Sequence, residues 1–291
     1  MNMGMALAVQ LWQVEQDLVG VVNEIFYVLI DTVKDLLTTN PQTWAVNHGI
    51  WSTIESINNS LISVAVQLAV IFFLVGFVEK TINIKEQVSV IEILMLFVRI
   101  AITEYFIVNS LNIISYLFTF TTSLAGMPTI TNAYINQGSL TVDIYDMSSI
   151  SNIVFLFPTI LYLVIVTACG AVIVMQAMKR LFKVYLAVPY GVLAFSTVGS
   201  GSRHISETTP GYVKYMLSVL LEAFSLALAL SIGMKLFIYG GGFVTFSSIS
   251  VSNHLLPATL KIVRNIVNVV MLTVICHMSE GLAAKALRLD R

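Results

Sequence analysis

Four charged side chains stand inside stretches that are otherwise apolar: Glu92, Arg99, Glu104 and Glu222. On a helix, Glu92 and Arg99 fall on nearly one face two turns apart, whereas Glu104 is rotated away. A charge at the centre of a bilayer costs about 2.5–3.5 kcal/mol on insertion scales and normally faces a partner or a cavity. Two chemistries follow. One is a polar pathway, a proton or ion relay. The other, the more ordinary use, is an interhelical pair that fixes packing, such as Arg99 with Glu222 or Glu104.

Other chemistry finds little support. His48, His204, His254 and His277 are scattered, and none stands at metal-ligand spacing from another histidine or a cysteine. The segment GSGSR at 199–203 lacks the lysine and spacing of a phosphate-cradling loop. Ser200 and Ser202 near His204 are neighbours in a polar loop, without the fixed geometry of a nucleophile and base. Cys169 and Cys276 lie in apolar segments and read as small hydrophobes. No catalytic, cofactor-binding or metal-binding residue is therefore assigned, and the chain is not read as an enzyme.

A second constellation is basic and aromatic: Lys179, Arg180 and Lys183 with Tyr185 and Tyr190. It could dock an acidic partner, anionic lipid or nucleic acid; the plainer reading is a topology anchor at a cytoplasmic face. A third pattern is a ridge of small residues, Ala223, Ala227 and Ser231, with Ala65, Ala69 and Gly76 in an earlier segment. Such ridges let helices approach closely.

The elements that must position these residues are membrane helices. The chain has 291 residues, 57% hydrophobic and 11% charged, with a net charge of −1 and a mean hydropathy of +0.87. Soluble domains carry about 25% charged residues, and a nucleic-acid binder would need a basic face. Residues 60–78 and 150–178 contain no charge at all. About 20 apolar residues span a bilayer as a helix, with each backbone polar group satisfied within the segment. The N-terminal MNMGMALAVQ has no basic region of the signal-peptide kind.

The expected fold is all-α, a polytopic transmembrane bundle of about five full spans: 60–78, 88–120, 150–178, 213–239 and 257–278. Residues 184–199, interrupted by Pro189 and Gly191, form one short re-entrant or interfacial element. Residues 1–45 form an amphipathic helix on the outer side, with Leu11, Val14, Leu18, Val21, Ile25, Val28 and Leu36 as its apolar stripe and Glu15, Asp17, Glu24, Asp31 and Asp35 breaking it. Trp44 and Trp51 then stand at headgroup level before the first span. The transmembrane domain covers 46–278, and 279–291 is a basic cytoplasmic tail. The positive-inside rule favours this arrangement. With five spans, Lys80, Lys85, Lys179, Arg180, Lys183, Arg203, Lys214, Lys285, Arg288 and Arg291 share the inner side. The loops 121–149 and 240–254, without Lys or Arg, lie outside.

This order, from NPQTWAVNHGIW through MQAMKRLFKVYLAVPYGVLAFSTVG to HMSEGLAAKALR, resembles the TrbL-like polytopic inner-membrane subunit of type IV secretion systems, in the short form of Gram-positive conjugative elements. The resemblance covers nearly the whole chain and is carried by patterns, chiefly Arg180–Tyr190 with Pro189 and the small-residue tail Gly281–Ala284. It implies a bacterial plasma-membrane protein with its N-terminus outside and C-terminus inside. It also implies a non-enzymatic channel subunit forming a homo-oligomeric ring. Its partners would be other secretion subunits including cytoplasmic ATPases, membrane lipid, and relaxase-bound single-stranded DNA in transit. The short loop 121–149 departs from larger relatives, which carry an extended outer domain. The alternative reading is a small secondary transporter with a midplane polar site. That class usually shows matching broken helices in two related halves, and only 184–199 reads as broken here. An intramembrane enzyme is a third reading without a convincing set of groups.

Overall fold

Long apolar runs with few helix breakers leave the backbone one way to satisfy itself in lipid, and every described element is an α-helix. The computed structural model describes residues 3–83, 90–128, 149–239 and 255–286. Asp143, Asp146, Lys85, His254, Arg288 and Arg291 lie outside these, as do most of the two loops without Lys or Arg. The side chains of Leu11, Val14, Glu15, Asp17, Lys80, Glu92, Arg203 and His204 also fall outside the description.

The helices are α1 Met3–Thr38, α2 Pro41–Asn47, α3 Trp51–Asn83, α4 Val90–Val108, α5 Ser110–Ala125, α6 Ser149–Phe195, α7 Arg203–Ser206, α8 Thr208–Tyr239, α9 Leu255–Ser279 and α10 Leu282–Ala286. Four of them, α3, α6, α8 and α9, are long and apolar enough to cross a membrane, and the α4–α5 pair makes a fifth if it is one bent span. The protein is thus a multi-pass helical membrane protein.

Two elements differ from the sequence reading. The stretch 88–120 is not one straight span: α4 and α5 meet at 64°. The break falls at Asn109, whose side-chain Nδ2 donates to the Tyr105 carbonyl oxygen at 3.0 Å, the same acceptor its own backbone N–H uses. A short polar side chain competing for an i−4 carbonyl bends a helix. The segment 184–199 is not a separate element either. Its first twelve residues continue α6 without interruption, so α6 runs 47 residues, about 70 Å at 1.5 Å per residue. Pro189 lacks an N–H and Gly191 a side chain, yet neither ends the helix. Packing replaces what they forgo: a Cβ on Gly191 would stand 2.7 Å from the Tyr212 hydroxyl and 2.9 Å from Ile114 Cδ1. The position is small because α5 and α8 both press on it.

By packing, the chain divides into two units. The first comprises Met1–Leu37, Gly126–Met178 and Ser225–Glu280. Here α1 buries Val22, Phe26, Ile30, Val33, Leu36 and Leu37 and leaves Val21 and Val28 exposed. Of the stripe read off the sequence, Leu36 is buried and Leu18 and Ile25 are half-buried, while the rest of the buried row falls one or two positions further along. Apolar residues occupy two adjacent rows of this helix, so periodicity alone could not choose between them. Glu24, Asp31 and Asp35 stay exposed. Leu29 of α1 lies against Gly170 of α6, where a Cβ would be 2.6 Å from Leu29 Cδ1. On α9, Ile262, Asn265, Val269, Leu272 and Cys276 form the buried stripe at three- and four-residue spacing.

The second unit comprises Thr38–Ala125, Lys179–Phe224 and Gly281–Arg291. Its core is Ala65 of α3, Ile107 of α4, and Val192 and Phe195 of α6. Phe195 sits between Phe106 at 5.7 Å and the edge of Tyr212 at 5.9 Å, measured between ring centroids. Gly76, near the far end of α3, packs on the Ser200 backbone so closely that a Cβ would collide with its carbonyl oxygen.

Candidate functional site

The charged centre of the second unit is built by two helices. Arg180 and Lys183 are three apart on α6, so they share a face; Glu222 comes from α8. Lys183 Nζ lies 3.3 Å from Glu222 Oε2, with the side chains 32% and 12% exposed. Arg180 is 4% exposed, and Glu222 and Tyr185 are the ionisable groups close enough to act on its guanidinium. Its Nε and Nη1 are buried without a hydrogen-bond partner. Glu222 thus serves both cations, and Nε and Nη1 of the Arg180 guanidinium make no hydrogen bond among the described residues.

An aromatic layer lies beside it. Asn40 caps α2, its side-chain oxygen accepting from the Gln42 N–H at 2.8 Å, and Pro41 takes the first helical position, where no N–H is needed. The Pro41 carbonyl accepts from the Tyr185 hydroxyl, 2.8 Å away. The Tyr185 ring stacks 6.1 Å from Trp44, and Trp44 stacks 3.9 Å from His48.

Trp44 was expected outside and the cluster Lys179–Tyr190 inside; the rings of Trp44 and Tyr185 are neighbours, with centroids 6.1 Å apart. Residue 185 lies beside the segment that leads into α3, and Ser200 lies beside Gly76 near the end of α3. Residues 185–200 therefore run alongside α3 in the same direction. Tyr185 of the basic cluster thus lies beside the segment that leads into α3. Tyr190 is exposed further along, and Lys179 is exposed at the cluster's edge.

The remaining intramembrane charges do not converge on this centre. Arg99 packs against the turn after α6: Gly199 meets its carbonyl oxygen, and its Nη1 passes 3.8 Å from where a Gly201 Cβ would be. The turn suits this contact because Gly201 has φ +68°, in the left-handed region. Among the described residues Arg99 forms no ion pair with Glu222 or Glu104; Lys183 takes the Glu222 carboxylate instead. Glu104 is exposed and lines an apolar cleft of about 350 Å³ with Val66, Ala69, Phe73 and Ile100. Ala223, Ala227 and Ser231 are all buried along α8.

The serines and threonines that follow α6 serve its C-terminus. Ser196 Oγ donates to the Leu193 carbonyl at 2.6 Å, Thr197 Oγ1 to Ala194 at 2.7 Å, and Thr209 Oγ1 to the same Ala194 oxygen at 2.7 Å. Helix ends leave carbonyls without intrahelical partners, and these hydroxyls supply them. Ser200 and Ser202 are buried, the first donating to the second's carbonyl at 3.3 Å. Among the described residues no group of three His, Cys, Asp or Glu stands close enough to hold a metal ion.

Compared with protein-family models, curated proteins and solved structures, the chain matches none.

Proposed function

We propose that the protein is a structural membrane subunit of a conjugative type IV secretion channel, oligomerising as a ring at the base of the translocation machine. The sequence resemblance motivates the reading. The structural observation that supports it is the pairing of Glu222 with Lys183 on the neighbouring helix. A carboxylate engaged in this way joins two helices, which suits a packing role better than a relay. In this reading the five crossings are α3, the bent α4–α5 pair, α6, α8 and α9. The N-terminus is outside and the C-terminus inside the bacterial plasma membrane. Its partners are copies of itself, other secretion subunits including cytoplasmic ATPases, lipid, and relaxase-bound single-stranded DNA.

The test is the native mass of the full chain in lipid nanodiscs, followed by DNA transfer from a strain lacking the gene. A discrete oligomer of several copies and loss of transfer, restored by the gene in trans, are expected. A monomer together with undiminished transfer would refute the proposal. The cleft beside Glu104 favours a second reading, a small transporter with an acidic residue at its site. In that case Glu104→Gln abolishes solute uptake by proteoliposomes and leaves the native mass unchanged.

A further inference from the structure

A carboxylate inside a membrane span is costly and normally faces a partner or a cavity. Glu222 has Lys183 at 3.3 Å. Glu104 of α4 has no such partner: among the described residues it makes no hydrogen bond or ion pair. Arg99 precedes it by five residues on the same helix, so the two are rotated apart, and the Arg99 Nη1 lies by Gly201 instead. What Glu104 borders is the cleft of about 350 Å³ between α3 and α4, a volume within the range of small-molecule sites.

Depth and lining define what this cleft accepts. On α3 it is bordered by residues from Val66 to Leu74, the middle of the uncharged run 60–78. Val70, Leu74 and Glu104 are exposed at its rim, so a ligand dissolved in the bilayer reaches it without parting the helices. Besides Glu104, the one polar side chain among the described lining residues is Thr103, and its hydroxyl donates to the Arg99 carbonyl oxygen at 2.8 Å. The cleft therefore offers one negative charge, the Phe73 ring and aliphatic walls.

These facts separate three classes of cation. A metal ion takes several oxygen ligands, and the cleft holds a single carboxylate. A primary ammonium is strongly hydrated and brings three donors, against one accepting group. A cation whose charge is spread over or shielded by apolar groups needs no hydrogen bond and gains from the apolar walls and the ring face. We infer that the cleft binds a lipophilic organic monocation of this third kind, with Glu104 as its counter-charge. The inference deepens the transporter reading, since both rest on this cleft, but it concerns binding and not movement.

The probe is methyltriphenylphosphonium, with neutral triphenylphosphine oxide as its uncharged counterpart. Binding of the radiolabelled compounds to the purified full chain in detergent is measured by equilibrium dialysis. The wild type binds the cation saturably and more tightly than the neutral compound. Glu104→Gln weakens cation binding by about tenfold and leaves the neutral compound unaffected. Val70→Trp, at an exposed position, fills the mouth of the cleft and weakens both. Glu24→Gln, which removes an exposed carboxylate on α1, leaves binding at the wild-type value. Equal cation binding by wild type and Glu104→Gln overturns the site, as does equal affinity of the wild type for the charged and neutral compounds. A lower native mass of Glu104→Gln with unchanged cation binding assigns the carboxylate to a contact with a second copy and also overturns the site. Saturable, Glu104-dependent binding without uptake by proteoliposomes refutes the transporter reading and leaves the site standing.

Discussion

Gly76 of α3 meets the peptide carbonyl of Ser200 directly, backbone on backbone, with no room for a methyl group between them. Gly199, next in the same turn, would bring a Cβ against the Thr103 hydroxyl and to 3.0 Å from the Arg99 carbonyl oxygen. The turn after α6 is therefore seated between α3 and α4 by three small contacts. A peptide carbonyl cannot swing aside as the end of a flexible side chain can.

Gly76→Ala is accordingly expected to destabilise the protein, by about 1–3 kcal/mol if the turn can shift and by more if it cannot. The measurement is the thermal unfolding midpoint in detergent, together with abundance in the membrane. Gly20→Ala is the matched control. Nothing lies within 4 Å of its added methyl, and alanine stabilises a helix interior by about 0.5–1 kcal/mol relative to glycine. An equal effect at both positions would contradict the seated turn.

The Lys183–Glu222 pair is half-buried on one side and nearly buried on the other. Exposed pairs contribute up to about 1 kcal/mol, whereas removing one member of a buried pair costs about 3–5 kcal/mol. Glu222→Ala should fall between, at about 1–3 kcal/mol, because it leaves Lys183 and Arg180 without their carboxylate. Arg99→Ala should leave the effect of Glu222→Ala unchanged, since Arg99 packs on the turn at Gly199 and Gly201. A double-mutant cycle on unfolding free energy checks this: coupling between residues 183 and 222, and none between 99 and 222.

The helical class and most of the long elements were legible in the sequence, because uncharged runs such as 60–78 and 150–178 have one backbone solution in lipid. The failures have physical causes. Pro189 and Gly191 read as a break, but the helix persists where Tyr212 and Ile114 fill the space a larger residue would need. Asn109 gave no strong signal as a single polar residue, yet its amide shares the Tyr105 carbonyl and the helix bends there. The four intramembrane charges were visible, but their partners were not. Partner choice depends on which helices become neighbours, and Lys183 was read as a topology anchor because it follows an apolar run.

Removing α1 should damage the protomer itself. An amphipathic helix that packed only on partner helices would, when removed, leave the chain inserted and lower its oligomerisation alone. The structure buries Val22, Phe26, Ile30 and Val33 within the chain's own first unit and sets Leu29 on Gly170. Deletion of residues 1–37 is therefore expected to lower the unfolding midpoint of the monomer as well as the oligomer mass. Gly170→Val, which would push a branched side chain into Leu29, should reproduce part of that loss. Unchanged monomer stability in both variants would return α1 to the role of a pure partner contact.

The Trp44–Tyr185 stack and the Tyr185–Pro41 hydrogen bond require that residues 38–50 and the start of the 185–200 stretch share one level of the membrane. Asn47 and Leu186 are both exposed and flank these contacts. With Cys169 and Cys276 replaced by alanine, Asn47→Cys and Leu186→Cys should react with an impermeant maleimide from the same side of sealed vesicles. Glu207→Cys, exposed beyond the Gly76–Ser200 contact, should react from the other. Tyr185→Phe deletes only the hydroxyl that donates to Pro41, so it should cost about 1 kcal/mol of stability while leaving this pattern of labelling unchanged. Labelling of residues 47 and 186 from opposite sides would restore the original assignment of Trp44 outside and the basic cluster inside, and would be incompatible with rings 6.1 Å apart.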